Sequence, residues 1–349
     1  MKSRKLVCIS IGSWLLTCAG AWAQTQNPAP RADFPAGPPA AYVSAETPMG
    51  TGRFPSILRM DSGLPTHTLY HPVALDRLQG QKLPLVVWGN GACVNMGNRF
   101  RPFLSEIASH GFLVMALGPM GSAEAESTTN SRLATGSPAI GSPAEMLARV
   151  GRLPPVPAAG ALPAPFTTAN QFADAIDWAQ AENVREGSAL KGIIDLANIA
   201  VMGQSCGGVQ AIDAARDPRV KTLGVWNSGL FPDPKRMWPV AAARVNKTDL
   251  AHLKVPAIFI TGAPSDVAYK NADDDFERMS GVPLVRAWRE KTGHSGTYRE
   301  TLGGAFAPVA VAWLRWHLQG QEDAARMFKG TACGLCQQTD WHIRTKHID

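Results

Sequence analysis

The stretch Leu83–Trp88 is apolar throughout. A strand of this kind must be covered on both faces, which restricts it to the interior of a sheet with helices on both sides. A helical pattern follows it: Phe100, Phe103, Leu104 and Ile107 fall at i, i+3, i+4 and i+7, and Gly111 closes the segment. Phe112–Leu117 is a second apolar run. Strand, helix, strand at this spacing is a crossover unit, so the two strands run parallel.

The alternation resumes downstream. Thr168 with Gln171 predicts a capped helix whose inner face carries Phe172, Ile176 and Ala179. Residues Asn198 to Met202 read as a short buried strand and Cys206 to Arg216 as a helix. Val220–Trp226, Pro256–Thr261 and Val282–Trp288 read as strands, and Val309, Trp313 and Trp316 place a last helix over 304–318. Two short strand-like runs lie between Ser56 and Leu75. The expected fold is one α/β domain, a doubly wound and mostly parallel sheet of about eight strands flanked by helices.

The flanks of this domain differ from it. Lys2, Arg4 and Lys5 precede the apolar run Leu6–Ala21, and Ala21-Trp22-Ala23 fits a small-x-small cleavage site. Residues 1–23 therefore read as a signal peptide, cleaved near Ala23 to give a secreted or periplasmic protein; a lipid-anchored variant would use Cys18. Removal of that segment takes the net charge from +6 to +3 and leaves no basic cluster, so a nucleic-acid partner is not expected. No run is long enough for a stable membrane span. Residues 24–50 are a Pro/Ala/Gly-rich leader and 51–330 the domain. A loop-rich insertion at 118–166 lies near the site, with one capped helix at Ser142-Pro143-Ala144-Glu145. Residues 331–349 form a tail with a C-x-x-C motif.

The strongest chemical motif is Gly203-Gln204-Ser205-Cys206-Gly207-Gly208, a G-x-S-x-G between a predicted strand and a predicted helix. That context suits a nucleophile elbow, in which a tight turn exposes the Ser205 hydroxyl. A serine needs a base. In the order Ser, acid, His, the base is His294, within Thr292-Gly293-His294-Ser295-Gly296. Among the other histidines, His67, His71 and His110 precede Ser205, and His252 precedes the acid-bearing strand. His317 lies on a helix face, and His342 and His347 in the tail. The orienting acid is Asp266, in the loop after the strand ending at Thr261. Asp233 and the run Asp273, Asp274, Asp275 are the alternatives, the run reading more simply as a solvated helix face. The oxyanion hole needs two backbone N–H donors, assigned to Cys206 and to Ala92, with Gly91 the alternative. The site calls for no cofactor and no metal.

With these motifs, residues 65–318 resemble an α/β-hydrolase, most like the secreted branch near dienelactone hydrolases, platelet-activating-factor acetylhydrolases and cutinases. The resemblance implies hydrolysis of carboxylic esters through an acyl-enzyme at Ser205, on a small-molecule or lipid-like ester. An acyltransferase or peptidase with the same triad, or a silent binding protein of this fold, are the alternatives. The loop Gly89-Asn90-Gly91-Ala92-Cys93 departs from the His-Gly-aromatic of cutinase-like enzymes, which argues against a polyester. The insertion and residues 229–250, with Phe231, Met237 and Trp238, are expected to shape the acyl pocket.

Two loops that build one oxyanion hole must approach each other. Cys93 follows Ala92 and Cys206 follows Ser205, so a Cys93–Cys206 disulfide is expected, against the alternative of two buried thiols. An exported chain favours a local Cys333–Cys336 disulfide over a zinc site completed by His342 and His347, or a redox pair.

Overall fold

The computed structural model describes residues 45–122, 166–233 and 243–348. The signal peptide, most of the leader, most of the insertion with its capping box, and Met237 and Trp238 lie outside the described residues.

Among the described residues one nine-stranded sheet organises the fold, in the order β1-β2-β4-β3-β5-β6-β7-β8-β9. The strands are β1 (Ser56–Arg59), β2 (His67–Pro72), β3 (Leu83–Gly89), β4 (Leu113–Leu117), β5 (Ile194–Gln204), β6 (Val220–Trp226), β7 (Ala257–Thr261), β8 (Leu284–Arg289) and β9 (Trp341–Lys346). From β4 to β8 all neighbours are parallel, while β1, β2 and β9 pair antiparallel at the two edges. The helices are α1 (Arg101–Ser109), α2 (Asn170–Glu182), α3 (Cys206–Ala214), α4 (Tyr269–Arg278) and α5 (Phe306–Gln319).

Side-chain alternation along the buried strands creates two apolar layers. Leu85, Val87, Met115, Val201, Leu223 and Phe259 face α2, α3 and α4. Val86, Trp88, Val114, Met202, Ile258 and Val285 face α1 and α5. Helices thus cover both faces, as the unbroken apolar run at Leu83–Trp88 requires. Among the described residues no helix is long and apolar enough to cross a membrane.

Three details differ from the sequence expectation. First, β5 begins at Ile194 instead of Asn198, because a bulge interrupts its pairing with β3 between the Pro84↔Asp195 and Leu85↔Ile199 partners. Asp195 accepts hydrogen bonds from Ala197 N–H (3.2 Å) and Asn198 (2.8 Å), so polar residues of the bulge hide the strand's first half. Second, α2 starts at Asn170, with no side-chain cap. Only the return half of the predicted box forms, with Thr168 N–H donating to Gln171 Oε1 at 2.8 Å. Third, the tail supplies β9. Trp341 is buried against Phe306 (5.7 Å between ring centroids), and the strand's polar positions face outwards.

Candidate active site

The strand order reverses at β3, which has β4 on one side and β5 on the other. Loops leaving the C-terminal ends of β3 and β5 diverge at such a point and open a crevice. The two motif-bearing loops, Gly89–Cys93 and Gln204–Cys206, lie there.

Ser205 sits between β5 and α3 with φ 53° and ψ −119°, a conformation that L-residues rarely adopt. It is held from several directions. Its N–H donates to Trp226 O (3.0 Å), and its carbonyl accepts from Gly208 N–H (2.9 Å) and Ser228 Oγ–H (2.6 Å). Close packing explains the flanking glycines. A Cβ on Gly203 would lie 2.2 Å from Gly207 O, and one on Gly207 would lie 2.1 Å from Gly89 C.

His294 follows β8 and is partly exposed. Its Nδ1 lies 2.8 Å from Asp266 Oδ1 and its Nε2 lies 2.9 Å from Ser205 Oγ. Asp266 is a buried carboxylate that can only accept, so Nδ1 carries the hydrogen and Nε2 is left to accept from the serine hydroxyl. Asp266 also accepts from Ala268 N–H (2.9 Å), Asn227 Nδ2–H (2.7 Å) and Gly262 N–H (3.0 Å). Burial by itself would raise the Asp266 pKa. The His294 charge and the hydrogen bonds from His294, Ala268 and Asn227 outweigh burial and hold it at about 2, below the ordinary 3.8.

A depressed folded-state pKa means that Asp266 contributes stability above pH ~4 and loses it as pH falls towards ~2. The unfolding free energy of the wild type, measured in urea relative to Asp266→Asn, is expected to shrink by roughly 2 kcal/mol from pH ~5 to ~2. A difference that stays flat over that window contradicts this account.

The structure thus brings Ser205, His294 and Asp266 together. The alternative acids are placed elsewhere. Asp275 is fully buried, paired to Lys247 (2.5 Å) and accepting from Leu230 N–H (2.7 Å), which corrects its reading as part of a solvated face. Asp273 pairs with Arg286 and Asp274 with Arg278. Asp233 is exposed. His317 is packed against Trp313 and Trp316 (4.0 and 4.1 Å between centroids), and burial lowers its pKa to about 4. His342 stacks on Trp288, and His347 accepts from Gly281 N–H.

Ala92 and Cys93 both have positive φ, 54° and 48°. Asn90 shapes this turn: its Nδ2 donates to Val94 O (3.2 Å), Met96 O (3.0 Å) and Leu117 O (2.8 Å). The Asn90 carbonyl accepts from Cys93 N–H (3.1 Å) and, across the crevice, from Gly207 N–H (3.0 Å). These bonds use other amides, and the N–H groups of Ala92 and Cys206 have no backbone acceptor among the described residues. A Cys93–Cys206 disulfide ties the two loops together, with Cα atoms 5.2 Å apart. Cys333 and Cys336 form a second disulfide, so neither is a thiolate available to a metal. Among the described residues no group of three or more His, Cys, Asp or Glu is placed to hold a metal ion.

Sequence reasoning missed three supporting residues. Asn227, at φ 41°, holds Asp266 and accepts from the Tyr298 hydroxyl. Tyr298 is fully buried and packs on Phe100 (4.9 Å) and Phe103 (5.1 Å). Gln204 donates to the His294 carbonyl at 3.0 Å, and its Oε1 fills the space where a Cβ on Gly91 would fall. Only the small residue at 91 hints at this last contact in the sequence.

No protein-family model matches the chain, and no curated protein is significantly similar to it. Its class is that of its fold, an α/β protein with a mostly parallel nine-stranded sheet, compatible with the α/β-hydrolase arrangement.

Proposed function

We propose that this chain is a serine hydrolase of the α/β-hydrolase type that cleaves carboxylic esters through an acyl-enzyme. The observation that carries the reading is the continuous relay Ser205 Oγ, His294, Asp266, with both links under 3 Å. In this mechanism His294 Nε2 takes the serine proton as Oγ attacks the ester carbonyl. Asp266 keeps Nδ1–H in place and stabilises the imidazolium. The tetrahedral oxyanion is received by the N–H groups of Ala92 and Cys206, assisted by the N-terminus of α3. His294 then protonates the leaving alkoxide, and water, deprotonated by the same nitrogen, releases the acid.

Two disulfides suit an oxidising compartment, which supports the reading of an exported protein. Labelling with a fluorophosphonate and mapping the tagged peptide tests the site directly. The tag is expected on Ser205; a tag on another residue rejects this nucleophile, and no tag at all rejects the hydrolase reading.

A further inference from the structure

The loop that carries His294 is held through three successive carbonyls. Thr292 O accepts from Ala263 N–H (2.9 Å), Gly293 O from Asn227 Nδ2–H (3.2 Å) and His294 O from Gln204 Nε2–H (3.0 Å). The first two donors belong to the segments that present and hold Asp266. The third comes from elsewhere. Gln204 is the last residue of β5 and the chain neighbour of Ser205. Its side chain therefore ties the base directly to the strand that presents the nucleophile.

The other edge of the same amide meets the oxyanion loop. A Cβ on Gly91 would lie 1.8 Å from Gln204 Oε1, 3.0 Å from Cδ and 3.6 Å from Nε2. Apart from Gly91's own turn, these are the three nearest atoms, so only Gln204 crowds that point. Gly91 does not have a positive φ, unlike Ala92 and Cys93 after it. Backbone conformation thus gives no reason for glycine at 91, and the main-chain obstruction found at Gly203 and Gly207 is missing there. What excludes a side chain at 91 is the Gln204 amide. Gln204 is buried, so solvent does not replace its bond to His294 once that bond is lost.

We propose that Gln204 is a positioning residue that sets the Ser205–His294 spacing and the seat of Ala92 together, with Gly91 as its matched partner. The proposal rests on the ester-hydrolase reading and adds to it a residue that acts through others. Asp266 fixes the direction of the imidazole at Nδ1, but the distance of the ring from Ser205 follows from the main chain of residue 294. The position of Oγ follows from the main chain of residue 205. One side chain adjoining residue 205 sets both. Proton transfer across the 2.9 Å link between them tolerates little drift.

The test is a double-mutant cycle of Gln204→Ala and Gly91→Ala on 4-nitrophenyl butyrate. Rates are expressed per site titrated with the fluorophosphonate, so unfolded protein drops out of kcat. Gln204→Ala is expected to lower kcat by about tenfold to a hundredfold and to leave KM within about threefold. Gly91→Ala alone is expected to lower kcat by about tenfold, because its methyl group evicts the amide. The double variant is expected to be no slower than Gln204→Ala, because the methyl then meets open space. Gln204→Glu keeps the shape and loses the donor, and is expected to be at least as slow as Gln204→Ala. Effects that multiply in the double variant overturn the proposal, as does a loss confined to KM or a kcat within about twofold of the wild type in Gln204→Ala or Gln204→Glu. If Ser205→Ala abolishes turnover in that case, the hydrolase reading stands and Gln204 is simple packing. Turnover that is indifferent to Ser205→Ala rejects the hydrolase reading itself.

Discussion

Ser205→Ala is expected to lower kcat on an activated ester by about a millionfold, to the residual rate that binding and oxyanion stabilisation alone provide. The size follows from how the site works as a unit. Without Oγ there is no covalent intermediate, and the proton-accepting nitrogen of His294 has no partner at 2.9 Å. Asp266→Asn is expected to cost less, about ten-thousandfold, because the amide favours the wrong imidazole tautomer while Ser205 remains in place. The four hydrogen bonds that Asp266 accepts make that substitution sharper than a simple charge loss, since an Asn amide would direct a donor at one of the donors now facing the carboxylate. Steady-state kinetics on a 4-nitrophenyl ester, with protein free of wild-type carry-over, decides the matter. A Ser205→Ala enzyme within tenfold of the wild type would remove the serine from the mechanism.

Replacing both Cys93 and Cys206 by alanine is expected to be the most destabilising change that leaves the relay's own side chains intact. The bond joins residues 113 positions apart, and releasing a loop of that length from the unfolded chain costs about 4–5 kcal/mol in the loop-entropy account. For a domain of this size each kcal/mol moves Tm by roughly 2–4 °C, so a fall of about 10 °C or more follows. The effect extends to the chemistry. The bond holds the Ala92 turn, with its two consecutive positive φ values, against the start of α3. A turn that drifts by an ångström misplaces an oxyanion donor, and kcat is expected to fall by a further tenfold to hundredfold, in rough terms. Cys333–Cys336 spans only three positions and provides the contrast, with an expected cost of about 2 kcal/mol. Calorimetry of the two double-alanine variants beside the wild type makes the comparison. Equal melting temperatures would show that the long-range bond does not stabilise the fold.

The parts of this architecture that could be read beforehand are those where one physical demand dominates. Central strands covered on both faces, such as Leu83–Gly89 and Ala257–Thr261, are built almost wholly from apolar residues, so their position is plain in the sequence. The elbow is equally plain, because backbone packed on backbone at Gly203 and Gly207 leaves room for one residue type. β9 was not legible because an edge strand satisfies two environments at once. Trp341 is buried, while His342, Arg344 and Lys346 carry the polar side chains a tail would carry. Asp275 misleads for a related reason. Its neighbours Asp273 and Asp274 are partly exposed, and only the fold brings Lys247 to the buried member of the run. Asn227 and Tyr298 escaped notice because their partners are 39 and 71 positions away and no local motif marks them.

The interlocked glycines of the crevice bear on how such a chain can diverge. Position 207 faces the backbone of position 89, and position 203 faces the backbone of position 207. Because the obstructing atoms are main-chain, no neighbouring side chain can change to make room, and no second mutation licenses the first. Helices and surface charges away from the relay can be rewritten one at a time. Lineages descended from a common ancestor of this protein would lose recognisable similarity nearly everywhere else before they lost glycine at 89, 203 and 207.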